Sequence, residues 1–278
     1  MVGLNIYLVK VIQFQNRIFL TALTFSIAGL ILLIVNVILG KINKAFAQIR
    51  KNFLKLSWIG IIGTSIPMSI VFYGLSLSPI SNTFLLQVEV IYSMILSRIL
   101  LKEQISKQQI LLSLSSIFGI CLITTEGTLR GINIGDLLFL LAPFFFQCAH
   151  VVAKNLMQKV NPIIVVMYRF LIGGLTLFPF STLLSSGLLE DLPTQMLDMI
   201  IFLSISYAIG NSLWYYGVKK IALSKATAIM ITYPLIATFL AIGILGESPS
   251  TIKVIGIMMV FLSVLKLSLL KPVENKKP

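Results

Sequence analysis

Apolar residues run through this chain in blocks of roughly 20, separated by short polar breaks, and the blocks lack the strict alternation of a strand with one wet face. A helix needs about 20 apolar residues to cross a bilayer, and helices satisfy their own backbone polar groups where no water is available. The pattern therefore predicts spanning helices at 18–40, 57–76, 80–101, 108–125, 135–156, 163–184, 197–218, 222–245 and 251–270. The connections are short and leave no room for a separate soluble domain.

The second half of the pattern repeats the first. Phe72-Tyr73-Gly74-Leu75 recurs as Tyr215-Tyr216-Gly217-Val218. Ala28-Gly29-Leu30 recurs as Gly173-Gly174-Leu175, and the Leu-Lys-Glu ending at Glu103 recurs as the Leu-Gly-Glu ending at Glu247. Counterparts stay 143–145 residues apart. The units predicted are about 1–127 and 134–272, joined by the turn Glu126-Gly127-Thr128-Leu129-Arg130-Gly131. The second unit carries five spans. The first carries four full ones, and residues 1–14 read as the trailing end of a further helix, too short to cross alone. An odd number of spans makes each unit enter from the side opposite to the other, and two inverted units can exchange conformations around a central path.

Composition agrees with the bilayer. The chain is 57% hydrophobic and 11% charged, and its mean hydropathy is +0.99. The net charge of +13 would fit a nucleic-acid binder, but its placement argues against one. Lys41, Lys44, Arg50, Lys51 and Lys55 fill one loop; Lys102 and Lys107, Lys154 and Lys159, Lys219, Lys220 and Lys225, and the C-terminal lysines follow at every second connection. The stretch 76–80 has no basic residue, and 185–196 offers only Glu190 and Asp191. Basic residues in alternate loops set orientation, so the C-terminus is predicted to be cytoplasmic in the cell (inner) membrane. No cleavable leader stands out, because the apolar run from Val2 is interrupted by Lys10.

Helix ends are marked by local chemistry. Ser106 with Gln109 reads as a capping box, Ser248-Pro249 as a cap followed by proline, and Gly135-Asp136 as a helix start with a carboxylate near its dipole.

Two units of five spans, each ending in a helix that runs into a glutamate followed by a capped last helix, resemble the EamA-type transporters of the drug/metabolite transporter superfamily. The likeness rests on Tyr233-Pro234-Leu235 through Gly246-Glu247 and on Leu86-Gln87-Val88-Glu89-Val90 through Glu103, with Val90 at the usual proline position. It rests also on Gly135-Asp136-Leu137-Leu138, with Arg169-Phe170 one helix later. The resemblance covers nearly the whole chain. It implies an all-α inverted repeat of ten spans, of which the first is truncated here, with Thr24 standing where the repeat places a partner to Arg169.

An ionisable side chain at mid-membrane costs about 2.5–3.5 kcal/mol on insertion scales and so points to a role. Glu89 lies near mid-depth of 80–101, with Tyr92 and Ser93 on its face. It is a candidate proton carrier or amine binder; the alternative is a hydrogen-bonded tie between helices. His150 shares a stripe with Gln147 and Pro143 and is a candidate proton relay or a packed core histidine. Arg169 could pair with an anionic solute or snorkel to headgroups. Tyr207, Asn211 and Trp214 form one face, and Trp214 reads as an interface anchor. Ser65, Ser69 and Tyr73 form the corresponding face of the first unit. Pro67, Pro143 and Pro234 each free a backbone carbonyl that a cavity, water or side chain must satisfy. The cavity is predicted between 57–76, 80–101, 197–218 and 222–245. Ser69, Tyr73, Glu89, Tyr92, Tyr207 and Asn211 should converge there, with His150 and Arg169 lower, toward the cytoplasm.

These residues favour a secondary transporter for a small metabolite, amino-acid-like or another organic solute, with proton coupling left open. No Walker motif is present to suggest ATP drive. An intramembrane enzyme finds no paired carboxylates and no glycine-flanked serine. The single histidine excludes an all-histidine metal site, and Cys121 and Cys148 lie in separate spans without a pairing pattern. A non-transporting membrane partner or inactive remnant is the alternative, supported by the truncated first helix. No cofactor is expected. The partners expected are a small-molecule substrate and the lipid bilayer, not nucleic acid, with a homodimer left open.

Overall fold

The computed structural model describes residues 17–78, 80–128, 133–184, 197–230, 232 and 249–270, and the elements within them are helical. They are α1 (Arg17–Ile38), α2 (Ile42–Gly60), α3 (Ile66–Leu77), α4 (Glu89–Leu100), α5 (Lys107–Thr125), α6 (Ile134–Leu156), α7 (Pro162–Leu184), α8 (Leu197–Lys220), α9 (Leu223–Met230) and α10 (Thr251–Leu269). Among the described residues, eight helical segments are long and apolar enough to cross a membrane. The ninth expected span, 222–245, is described only through Met230 and at residue 232.

Two spans differ from the sequence reading. The segment 41–55, expected as a loop, is helical, and α2 runs on through a π-turn (Ile61–Ser65) into α3 as 36 continuous helical residues. Its apolar positions Ile42, Ala45 and Ile49 recur at helical spacing and turn inward, while Lys44, Lys51 and Lys55 stay exposed. That pattern supports an amphipathic helix beyond the apolar block. A kink at Asn52 (φ −123°, ψ 22°) separates this basic part from the apolar part. The second difference is that 80–101 opens as a 3₁₀ segment, Ile80–Val88, and becomes α-helical only at Glu89. Glu89 thus sits where one continuous helical run, Asn82–Leu100, changes from 3₁₀ to α, near the middle of the span as expected.

Several expected caps form. Ser106 accepts the Gln109 N–H at 3.0 Å. At the start of α6 the cap is Asn133, which accepts the Asp136 N–H at 3.1 Å while the Asp136 carboxylate accepts the Asn133 N–H at 3.0 Å. That reciprocal box explains the Gly135-Asp136 signal. The last helix is capped by Ser250, which accepts from Lys253, and not by Ser248, because Pro249 precedes the cap instead of occupying the first turn.

Repeat-related helices pack against one another. α1 lies along α7 and α5 along α10, the two most extensive helix pairings among the described residues. The α1–α7 contact reproduces itself under the pseudo-twofold. A Cβ on Gly29 would come within 2.8 Å of the Leu171 backbone nitrogen, and one on its counterpart Gly174 within 2.6 Å of the Ser26 nitrogen. Glycine at both positions lets the two backbones touch, the close approach by which helices associate in lipid. The outer surface stays apolar: Leu111, Phe118, Leu213 and Phe261 are each more than half exposed. Such a surface belongs in lipid. The molecule is an all-α membrane protein built as an inverted repeat.

Candidate functional site

A cavity of about 140 Å³ lies between the repeats. The 3₁₀ segment and the start of α4 supply Gln87, Glu89 and Val90. α6 supplies Phe146 and His150, α7 supplies Arg169, α8 supplies Asn211 and Trp214, and α9 supplies Thr227 and Met230. Six of the ten lining residues are polar or ionisable, and Val90, Phe146, Trp214 and Met230 supply the apolar wall, so polar groups converge in one concave site.

Glu89 is the acid of this chamber. It lies at the junction of the 3₁₀ segment with α4. Gln147 donates from Nε2 to Glu89 Oε1 at 2.6 Å, and His150 Nε2 lies 4.0 Å from the same oxygen. The Glu89 side chain is still 31% exposed. Two atoms beside it, Gln147 Oε1 and His150 Nδ1, are buried without a hydrogen-bond partner. Buried polar atoms are normally paired; these two are sealed from the cavity, whose lining includes His150 but not Gln147.

Arg169 is the base. Its guanidinium is almost fully buried, and it donates from Nε to Thr64 Oγ1 at 2.8 Å, from Nη1 to the Tyr215 hydroxyl at 2.8 Å and from Nη2 to the Gly63 carbonyl at 2.7 Å. The last contact has a local cause. Pro67 has no N–H to offer the carbonyl four residues earlier, which is that of Gly63, so the arginine takes over the acceptor. Among the described residues no carboxylate forms an ion pair with Arg169. The Tyr215 ring lies under the guanidinium, 5.6 Å from its carbon, where the π-face supplies part of the missing negative charge.

Of the residues singled out in the sequence, Glu89, His150, Arg169 and Asn211 come together at the cavity. His150 and Arg169 line the same cavity as Glu89. Tyr207 turns away and packs edge-on against Phe25, ring centroids 5.1 Å apart. Tyr92 meets Phe144 edge-on at 5.7 Å. Ser69 is buried with no partner for its hydroxyl, and Tyr73 is 45% exposed; neither lines the chamber. The helix 57–76 contributes no lining residue, whereas α6 and α7 do. Trp214, read as an interface anchor, sits on the cavity wall with its ring 5.9 Å from that of His150. Gln147 was legible from its position three residues before His150. Phe146, Thr227 and Met230 carried no signal that separated them from ordinary core positions.

The chain belongs to the EamA-like transporter family, whose pattern it matches over residues 1–125 and 133–269. It is 26% identical over 252 residues to the uncharacterized transporter YyaM of Bacillus subtilis strain 168, covering 88% of this chain and 82% of that one. An uncharacterized transporter of Archaeoglobus fulgidus is 28% identical over 249 residues, with 88% and 86% covered. The riboflavin transporter ImpX of Fusobacterium nucleatum is 24% identical over 195 residues, with 67% and 65% covered. A solved crystal structure superposes with a TM-score of 0.76 over 96% of this chain and 95% of its own at 16% identity, a likeness of fold.

Proposed function

We propose that this chain is a secondary transporter that carries a small, amino-acid-like organic solute across the cell's inner membrane, with Glu89 as its proton-exchanging or amine-binding group. Membership in a family of membrane transporters supports the transport itself. The observation that carries the finer reading is the pairing of one acid and one base across a single small chamber. Glu89 and Arg169 both line it, and no ion pair joins them. A zwitterion can place its ammonium near Glu89 and its carboxylate near the two guanidinium N–H groups that the three protein contacts leave unused. Phe146, Trp214 and Met230 then face the solute's apolar part. The binding site sits between inverted halves, the arrangement from which alternating access follows. Alternate basic loops support an orientation with the C-terminus in the cytoplasm.

The test is a counterflow screen of amino acids and related zwitterions in proteoliposomes holding the purified chain, with and without a pH gradient. Saturable movement of at least one solute is expected, and Glu89→Gln should abolish it or remove its pH dependence while protein yield stays near normal. A silent panel would reject the solute class. An unchanged rate and pH profile in Glu89→Gln would return Glu89 to a purely structural tie.

A further inference from the structure

One helical turn beyond the cavity, its walls close on a single polar cluster. On α6 the turn after His150 brings Lys154, on α8 the turn after Trp214 brings Val218, and on α9 the turn before Thr227 brings Leu223. On α4 the turn after Glu89 brings Ser93, which donates to Thr227 Oγ1 at 3.0 Å; both residues are buried. Beneath that contact lies Glu103, from the connection between α4 and α5. Its carboxylate accepts the Leu223 N–H at 2.6 Å, the Ser224 N–H at 3.1 Å and the Ser224 hydroxyl at 2.8 Å. Lys154 Nζ is 3.3 Å from the same carboxylate and also donates to the carbonyls of Val218, at 3.1 Å, and Ile221.

The cluster joins an anion at the N-terminus of α9 to a cation at the C-terminal end of α8, each favoured by the helix dipole it faces. Glu103 belongs to the first half of the chain, and the partners of its carboxylate belong to the second. Lys102, directly before Glu103, has φ +56°, the left-handed conformation common just past a helix end, and there the Glu103 N–H donates to the Ser97 carbonyl at 3.1 Å.

We infer that Glu103, Lys154 and the N-terminus of α9 form the gate at the basic-loop end of the transport path, closed in this structure. The gate opens when Glu103 leaves Leu223 and Ser224, so that α4 and α9 part at Ser93 and Thr227. This rests on the transporter reading above, but its test requires no solute.

The experiment places Asn211→Cys in a chain whose Cys121 and Cys148 are replaced by alanine and reads modification by a membrane-impermeant methanethiosulfonate cation. The reagent is applied to sealed vesicles from the face that carries residues 41–55. The gated chain should react slowly from that face, and fast reaction of this parent would overturn the inference directly. Adding Glu103→Gln should raise the rate about ten-fold or more. Lys154→Gln should do the same and carries the test if Glu103→Gln yields no monodisperse protein. A disulfide between Ser93→Cys and Thr227→Cys should cancel the increase, and a reductant should restore it. Unchanged modification in a monodisperse gate variant, or an increase that the disulfide does not cancel, would overturn the gate. A silent solute screen with this accessibility pattern intact would reject the solute class and leave the gate standing.

Discussion

Arg169 Nη2 donates to the carbonyl of Gly63 at 2.7 Å, tying the second half of the chain to the acceptor that Pro67 leaves open in the first. A proline break and a buried cation, each costly alone in a membrane, satisfy one another. The same guanidinium then faces the cavity with its remaining donors.

This pairing predicts a thermodynamic coupling between residues 67 and 169. Arg169→Met removes three hydrogen bonds from a charged donor and should cost about 2–4 kcal/mol, allowing for the weak average value of such bonds in membranes. Pro67→Ala restores a backbone N–H for the Gly63 carbonyl. The double variant should therefore be more stable than the sum of the single effects implies, by about 0.5–1.5 kcal/mol. Denaturation midpoints of the four proteins in mixed micelles measure it, and strict additivity would deny that Arg169 replaces the proline's missing donor.

The α1–α7 seam predicts matched effects at two distant positions. Gly29→Ala and Gly174→Ala each drive a Cβ against the facing backbone, at 2.8 Å and 2.6 Å. Each should destabilise by about 1–3 kcal/mol, the range for overpacking a close contact. If thermal unfolding in detergent shows one variant unaffected and the other severely unstable, the two contacts are not symmetry equivalents.

The Glu103 cluster predicts an acid-sensitive tie. Burial pushes the Glu103 carboxyl up, but the hydrogen bonds from Leu223 and Ser224 and the charge of Lys154 outweigh it and hold it below the ordinary glutamate value of 4.5. A carboxyl lowered in the fold contributes stability that is complete above 4.5 and is lost as pH falls through its folded value. The groups facing it are Lys154 on α6 and Leu223 and Ser224 on α9. The stability advantage of the parent over Glu103→Gln should be constant from pH 7 to about 5 and shrink below about 4.5. An advantage that persisted unchanged to pH 3 would show that the carboxylate charge contributes nothing.

Orientation can be checked with small tags. Tags within 41–55 and at the C-terminus should be reached from the cytoplasm, and one within 185–196 from outside, because lysine and arginine crowd alternate connections. The C-terminal residues and 185–196 lie outside the described residues, so the expectation rests on charge alone. Labelling that placed 41–55 and 185–196 on the same side would contradict the inverted repeat.

The sequence by itself determined the membrane-spanning helical character, the repeat and its inversion, because length and hydropathy are properties that lipid reads directly. It also marked Glu89, His150, Arg169 and Asn211, since a polar side chain in an apolar block is visible wherever it points. Tertiary structure decided which faces turn inward. Tyr207 packs against Phe25 while Trp214 reaches the cavity, and nothing in their helix distinguishes them beforehand. In water an inward face is marked by being apolar; in a bilayer the outward face is apolar too, so hydropathy loses its direction. The partners of Arg169 and Glu103 were hidden for a second reason. Both meet backbone groups, the Gly63 carbonyl and the Leu223 and Ser224 N–H groups, and any residue type can supply those once the helices are packed.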